Sequence, residues 1–221
     1  MRLERLEHPP IRWSRELWRV GGALLVWAGG EYLRVRRKPR TPVERKAQRV
    51  LNRIDRIARR HFYRPSVALL ADRIADSIVF AAMPLACTLA LLPYEHPRRR
   101  FLADGLLIGR AATATGAVNE TIKFLTPRER PFAFADPQAE GWDRYGSFFS
   151  NHTSAAAAMA ATTSFIAQAR GASPWVAVPL FALASFVGYL RIAGDKHYLT
   201  DVVAGAAFGV ATGAFFTRKL V

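Results

Sequence analysis

Long uncharged stretches separated by short polar ones set the pattern of this chain. Ser77 to Tyr94 runs 18 residues without a charge, enough for one bilayer crossing. Thr153 to Ala169 is uncharged and Ala-rich, and Gly171 to Leu190 is 20 uncharged residues. Val202 to Thr217 is uncharged and repeats glycine every fourth residue, at Gly205, Gly209 and Gly213. Phe101 to Leu125 has a helical composition but carries Asp104, Arg110, Glu120 and Lys123. Its small residues Gly105, Gly109, Ala112 and Gly116 recur at steps of three or four, which permits close helix contact. Val20 to Gly30 is a shorter apolar run of 11 residues between Trp18 and Tyr32, a flanking that suits a membrane interface. No stretch alternates with the period of two that a half-buried strand shows. The pattern predicts an all-α, integral membrane helical bundle of five to six transmembrane helices. A soluble all-α bundle is the alternative, because Ala-rich runs of 16 or 17 residues also serve as buried core helices.

Charge changes that picture at one place. The 221 residues carry a net +15, and residues 34 to 64 hold thirteen Lys or Arg against Glu44 and Asp55. Residues 43 to 62 read as an amphipathic helix, with Val43, Ala47, Val50, Leu51, Ile54, Ile57 and Ala58 at three- and four-residue steps. Its cationic face suits anionic lipid headgroups. Packing of the apolar stripe on the same protein is the plainer reading, and nucleic-acid binding by a basic patch is the least favoured. The expected division is a basic N-terminal region, 1–64, and a helical catalytic domain, 65–221. Cys87 is the only cysteine, so no internal disulfide forms. No cleavable signal peptide is expected, since charge surrounds the first apolar run without a small-residue cleavage site.

Three polar stretches remain, all at the ends of apolar segments. They are Lys123 to Pro131, Ser147 to Ser154, and Arg191 to Asp201. If consecutive helices alternate direction, the loop at 126–150 and the connection at 191–200 lie at one end of the bundle. The turn near Gly171 lies at the other. Lys123, Arg130 and Arg191 supply cations, and the planar guanidinium matches phosphate with paired hydrogen bonds. His152 follows Ser150 and Asn151 at the start of the Ala-rich helix, where free backbone N–H groups favour an anion. His197 and Asp201 are four apart, so both share one face if the last helix starts near His197. A carboxylate behind an imidazole fixes its tautomer. Each residue has an ordinary reading too: a cap, a loop charge, a snorkelling lysine. Two His and one Asp are poorly spaced for a metal site. The inventory fits an oxyanion, with phosphate first.

These stretches resemble the three-part signature of the type 2 phosphatidic acid phosphatase (PAP2) superfamily. Lys123 with Arg130-Pro131 matches its first part, Phe149-Ser150-Asn151-His152 stands where Pro-Ser-Gly-His is usual, and Arg191, His197 and Asp201 match its third. Phe149, Asn151 and Leu190 depart from the pattern without removing a titrating group. The resemblance spans roughly residues 77 to 217 and implies metal-independent phosphatase chemistry without a cofactor. His197 would attack phosphorus, Asp201 would orient it, and His152 would serve as acid and then base. Lys123, Arg130, Ser150, Asn151 and Arg191 would hold the phosphoryl group. Together with the spans it implies a lipid-borne phosphomonoester or diphosphate, of the phosphatidate, phosphatidylglycerophosphate or polyprenyl type. The alternatives are a vanadate-dependent haloperoxidase-like enzyme of the same superfamily, or a non-catalytic membrane protein that binds anionic lipid. The resemblance also implies a multi-pass cell-membrane location with the site at the extracytoplasmic face. Basic connections at the opposite end agree with that, and the thirteen cations of 34–64 oppose it.

Overall fold

The computed structural model describes residues 13–36, 52–94, 98–135 and 142–218. Among them the regular structure is helical: α1 Trp13–Arg36, α2 Arg53–Phe62, α3 Pro65–Tyr94, α4 Arg98–Leu125, α5 Pro131–Ala135, α6 Asn151–Ala169, α7 Ala177–Ala193 and α8 Leu199–Thr217. Strand pairing among the described residues is limited to one isolated bridge, between Arg128 and Gly146.

The Ala-rich α6 is the axis of the bundle. Fifteen of its 19 residues are buried, and α3, α4, α7 and α8 pack around it. Small side chains allow this close approach from every side, and the glycine repeat of α8 brings it nearest. A methyl group at Gly205 would lie 2.7 Å from the Ser150 carbonyl oxygen, and one at Gly209 would overlap the carbonyl oxygen of Ser154. At Gly213 it would lie 2.7 Å from the Ala161 methyl. The two helices therefore meet backbone to backbone.

Glycine spacing misleads on α4. A methyl group at Gly105 or Gly109 would meet nothing within 4 Å. These residues line an apolar cavity of about 420 Å³ shared with Trp13, Cys87, Phe101 and Met159. Of the three glycines on α4 only Gly116 marks tight packing, because the indole of Trp27 on α1 fills its space.

Among the described residues three helices are long and apolar enough to cross a membrane: Pro65–Tyr94, Pro174–Ala193 and Leu199–Thr217. The expectation was five or six. The Ala, Ser and Thr content of α6 keeps it weakly hydrophobic, and α1 and α4 carry charges. The larger surprise is α3. The uncharged run starts at Ser77, but the helix begins at Pro65 and continues through a π-helical segment, Ile78–Ala82. Its first turns therefore bring Asp72 beside Arg191 and Asp76 beside His152.

Residues 43–51 of the expected amphipathic helix lie outside the described residues. The described part, α2, starts afresh at Asn52, whose side chain accepts from the Asp55 N–H at 2.8 Å. Its buried face is not the apolar stripe. Ile54 is 61% exposed and Ile57 46%, whereas Asp55 is fully buried beside Ala58.

Candidate active site

The predicted convergence occurs. The end of α4, the start of α6, the end of α7 and the start of α8 meet at one end of the bundle, and the turn at Gly171, with φ +87°, lies at the other. His197 sits at the centre, 2% exposed. Burial holds its imidazole well below the usual histidine range, and the charges of Arg130, Arg191 and Lys123 push the same way. Lys123 and Arg130 come from the first of the three polar stretches and Arg191 from the third, and all three act on one ring. Arg191 and Lys123 also act on His152.

The turn carrying His197 is built on Arg191. Its carbonyl accepts from the N–H of Lys196 at 3.0 Å and of His197 at 3.2 Å. Asp195 takes a left-handed conformation, φ +58°, in the middle of that turn, a region Asp enters more readily than most residues. The helix that follows starts at Leu199, not His197, so His197 and Asp201 do not share a helical face. Asp201 occupies the third helical position and caps the Tyr198 N–H at 2.9 Å.

This changes how the imidazole is held. His197 Nδ1 donates to the carbonyl of Ser147 at 2.7 Å, while the nearest Asp201 oxygen is 3.8 Å away. Asp201 acts at one remove, accepting from the Ser147 hydroxyl at 2.6 Å. With its proton on Nδ1, the ring presents an unshared pair on Nε2.

Ser150 caps α6, and its hydroxyl is 2.9 Å from that of Thr153. Its N–H donates to the Asp201 carbonyl at 3.1 Å, which ties α6 to α8. Asn151 opens the helix and is buried. His152 Nε2 donates to Asp76 at 2.6 Å, and Phe80 meets the ring edge-on with centroids 6.1 Å apart. Lys123 pairs with Glu120 at 2.9 Å, both buried. Arg191 pairs with Asp72 and lies 3.9 Å from Asp76, while its Nε is buried without a hydrogen-bond partner among the described residues.

Sequence reasoning missed several of these partners. Asp72, Asp76 and Phe80 stand four apart on α3, a helical stripe hidden by the assumption that the span began at Ser77. Asn119, one turn before Lys123, donates to the Phe149 carbonyl at 2.7 Å. Arg128 pairs with Asp201 and, at 2.6 Å, with Asp55. Its backbone N–H donates to the Tyr145 carbonyl and its carbonyl accepts from the Ser147 N–H, a short ladder that fixes Arg128 beside Ser147. Among the described residues no three His, Cys, Asp or Glu side chains gather as a metal-ligand set.

The PAP2 superfamily model matches residues 104–220, just over half of the chain, and the protein belongs to that superfamily. The lipid A 1-phosphatase of Porphyromonas gingivalis is 40% identical over 67 residues, 30% of this chain. That match spans only 15% of the relative's length. The fold is similar to that of Aquifex aeolicus LpxE, with a TM-score of 0.53 at 18% identity over 74% of this chain and 92% of the other. It is also similar to a transmembrane PAP2-type phosphatidylglycerolphosphate phosphatase from Bacillus subtilis, with a TM-score of 0.52 at 16% identity over 91% and 96%. The bundle is thus the fold of membrane PAP2 phosphatases.

Proposed function

We propose that the protein hydrolyses a lipid-borne phosphomonoester or diphosphate through a phosphohistidine on His197. The observation that carries this reading is the His197 ring itself. Burial and the charges of Arg130, Arg191 and Lys123 favour its uncharged form, and its Nδ1 donates to Ser147, which leaves the Nε2 lone pair for attack. A buried nucleophile among cations suits an anionic electrophile. The buried Arg191 Nε is a donor that an arriving phosphoryl oxygen would satisfy.

In the first step Nε2 of His197 forms a bond to phosphorus as the P–O bond breaks, and the ester oxygen leaves with a proton from the charged form of His152, whose Nε2 Asp76 holds. Asp76 fixes the orientation of that ring. In the second step His152 takes a proton from water, the oxygen attacks phosphorus, and the N–P bond breaks to release phosphate and free His197. Lys123, Arg130, Arg191 and the free N–H groups at the start of α6 stabilise the charge on the phosphoryl oxygens. Ser150 and Asn151 shape that helix start. The relatives named for lipid A and for phosphatidylglycerolphosphate support a membrane-borne substrate, as do the three apolar helices. The full chain, purified in detergent, should release inorganic phosphate from phosphatidate or a lipid diphosphate in excess chelator. Release only on adding a divalent metal, or none from any lipid phosphate, would refute this reading.

We further propose that the site faces away from the cytoplasm. The connections at the opposite end carry Arg98 to Arg100, Arg170 and Arg218, as cytoplasmic loops do. α8 runs from the site to that opposite end, so a reporter fused after Val221 should read as cytoplasmic. An extracytoplasmic signal would reverse the assignment.

A further inference from the structure

The helix α2 lies outside the region matched by the superfamily model, yet it grips the His197 turn at both ends. On one side Arg59 forks onto Asp195, with Nε to Oδ1 at 2.6 Å and Nη2 to Oδ2 at 2.7 Å. Burial opposes the Arg59 charge, but this fork outweighs it and raises the guanidinium above its ordinary range. On the other side the Asp55 carboxylate accepts from the Thr200 N–H at 2.9 Å and the Thr200 hydroxyl at 2.7 Å. It also accepts from Asn52 at 2.8 Å and from Arg128 Nη2 at 2.6 Å. The other amino group of Arg128 holds Asp201 and meets the Thr200 hydroxyl at 2.8 Å. The guanidinium is pinned over the Tyr198 ring, 4.5 Å from its centroid. A continuous chain of bonds thus runs from Asp55 through Arg128, Asp201 and Ser147 to His197.

A helix docked for packing alone would bury its apolar side chains. This one turns Ile54, Ile57 and Phe62 outward and buries a carboxylate. Burying Asp55 is costly unless every lone pair is answered, and here four donors answer it. Of those donors, all but Asn52 belong to residues that also touch the reaction centre or begin its last helix.

We infer that α2 is a positioning element of the reaction centre, with Asp55 acting through Arg128 on Asp201 and thereby on His197. This rests on the phosphatase reading above. It places the functional unit's boundary before Asn52 rather than at residue 64. The carboxylate on α2 anchors one end of the Arg128 guanidinium, so that the other end holds Asp201 at the distance its Ser147 contact needs. Asp55 touches no reacting atom. Its loss should slow turnover without weakening capture of the phosphate.

The test is steady-state kinetics of the full-length protein on phosphatidate in detergent micelles. Asp55→Asn should lower kcat about tenfold and leave KM within about twofold, the mark of lost alignment. Arg128→Gln should do the same. The double variant should be no worse than Arg128→Gln alone, within about twofold, because the two residues act as one relay. Thr200→Val keeps shape but removes one hydroxyl link, and it should cost about threefold in kcat; it decides the matter if Asp55→Asn fails to fold. Unchanged kcat in Asp55→Asn or, failing that, in Thr200→Val would overturn the inference alone. So would multiplying defects in the double variant. A wild-type chain that releases no phosphate would overturn the phosphatase reading, and this inference with it.

Discussion

His197→Ala should abolish covalent phosphorylation of the protein for every substrate, with turnover down about a thousandfold or more. No other imidazole can take over, because the ring is held by a turn folded on the Arg191 carbonyl and by the Ser147 acceptor. His152→Ala should behave differently. Its proposed duty is to protonate the leaving oxygen, and that need depends on the leaving group. An activated aryl phosphate departs without a proton, so His152→Ala should still transfer phosphate from such a donor to His197. The second step also loses its base, so phosphoenzyme should accumulate. The measurement is acid-labile, base-stable phosphate label on the protein after an alkaline quench. Label on His197→Ala with none on His152→Ala would mean that the two roles are reversed.

Gly209→Ala should cost about 3 kcal/mol, near the upper end for overpacking a core. The added methyl would overlap the Ser154 carbonyl oxygen and come within 2.9 Å of the Ala157 methyl. Backbone cannot swing aside as a flexible side chain can, so α6 and α8 must part. The melting temperature in detergent should fall by about 10 °C, at 2–4 °C per kcal/mol for a chain of this size. Activity should fall as well, because the Ser150 to Asp201 backbone bond spans the same seam. Gly109→Ala is the matched control. Its methyl would meet nothing within 4 Å, so stability should hold or rise slightly with the better helix former. Equal effects of the two substitutions would show that the glycine repeat is not the seam described.

The contrast between Gly209 and Gly109 also shows what spacing in a sequence can and cannot reveal. Both lie in four-residue repeats of small residues. Gly209 faces the backbone of another helix and Gly109 faces a cavity, and the facing depends on tertiary placement that no local pattern carries. Lys123, Arg130, His152, Arg191 and His197 were legible because charged and titrating residues at the ends of apolar runs have few structural reasons to be there. Alternating helix directions then brought them to one end. Asp72, Asp76 and Asp55 were not legible. Each looked like an ordinary polar residue beside a hydrophobic segment, and only the folded chain shows them paired with Arg191, His152 and Arg128. The His197–Asp201 relation was half right. The two are close, but through a capping turn and a serine rather than along one helical face.

The latch between α2 and the His197 turn has a consequence for how the protein is made. Arg59 precedes Asp195 by 136 residues, and Asp55 precedes Thr200 by 145. At the usual pace of synthesis that is a wait of roughly 7 to 30 s. Throughout it Arg59 lacks Asp195 and Asp55 lacks Thr200, so the latch stays open while the helices between thread into the bilayer. Docking of α2 is therefore the closing event of assembly. A ribosome stalled before residue 195 leaves a chain with most of the described helices made and without the His197 turn on which the proposed chemistry rests.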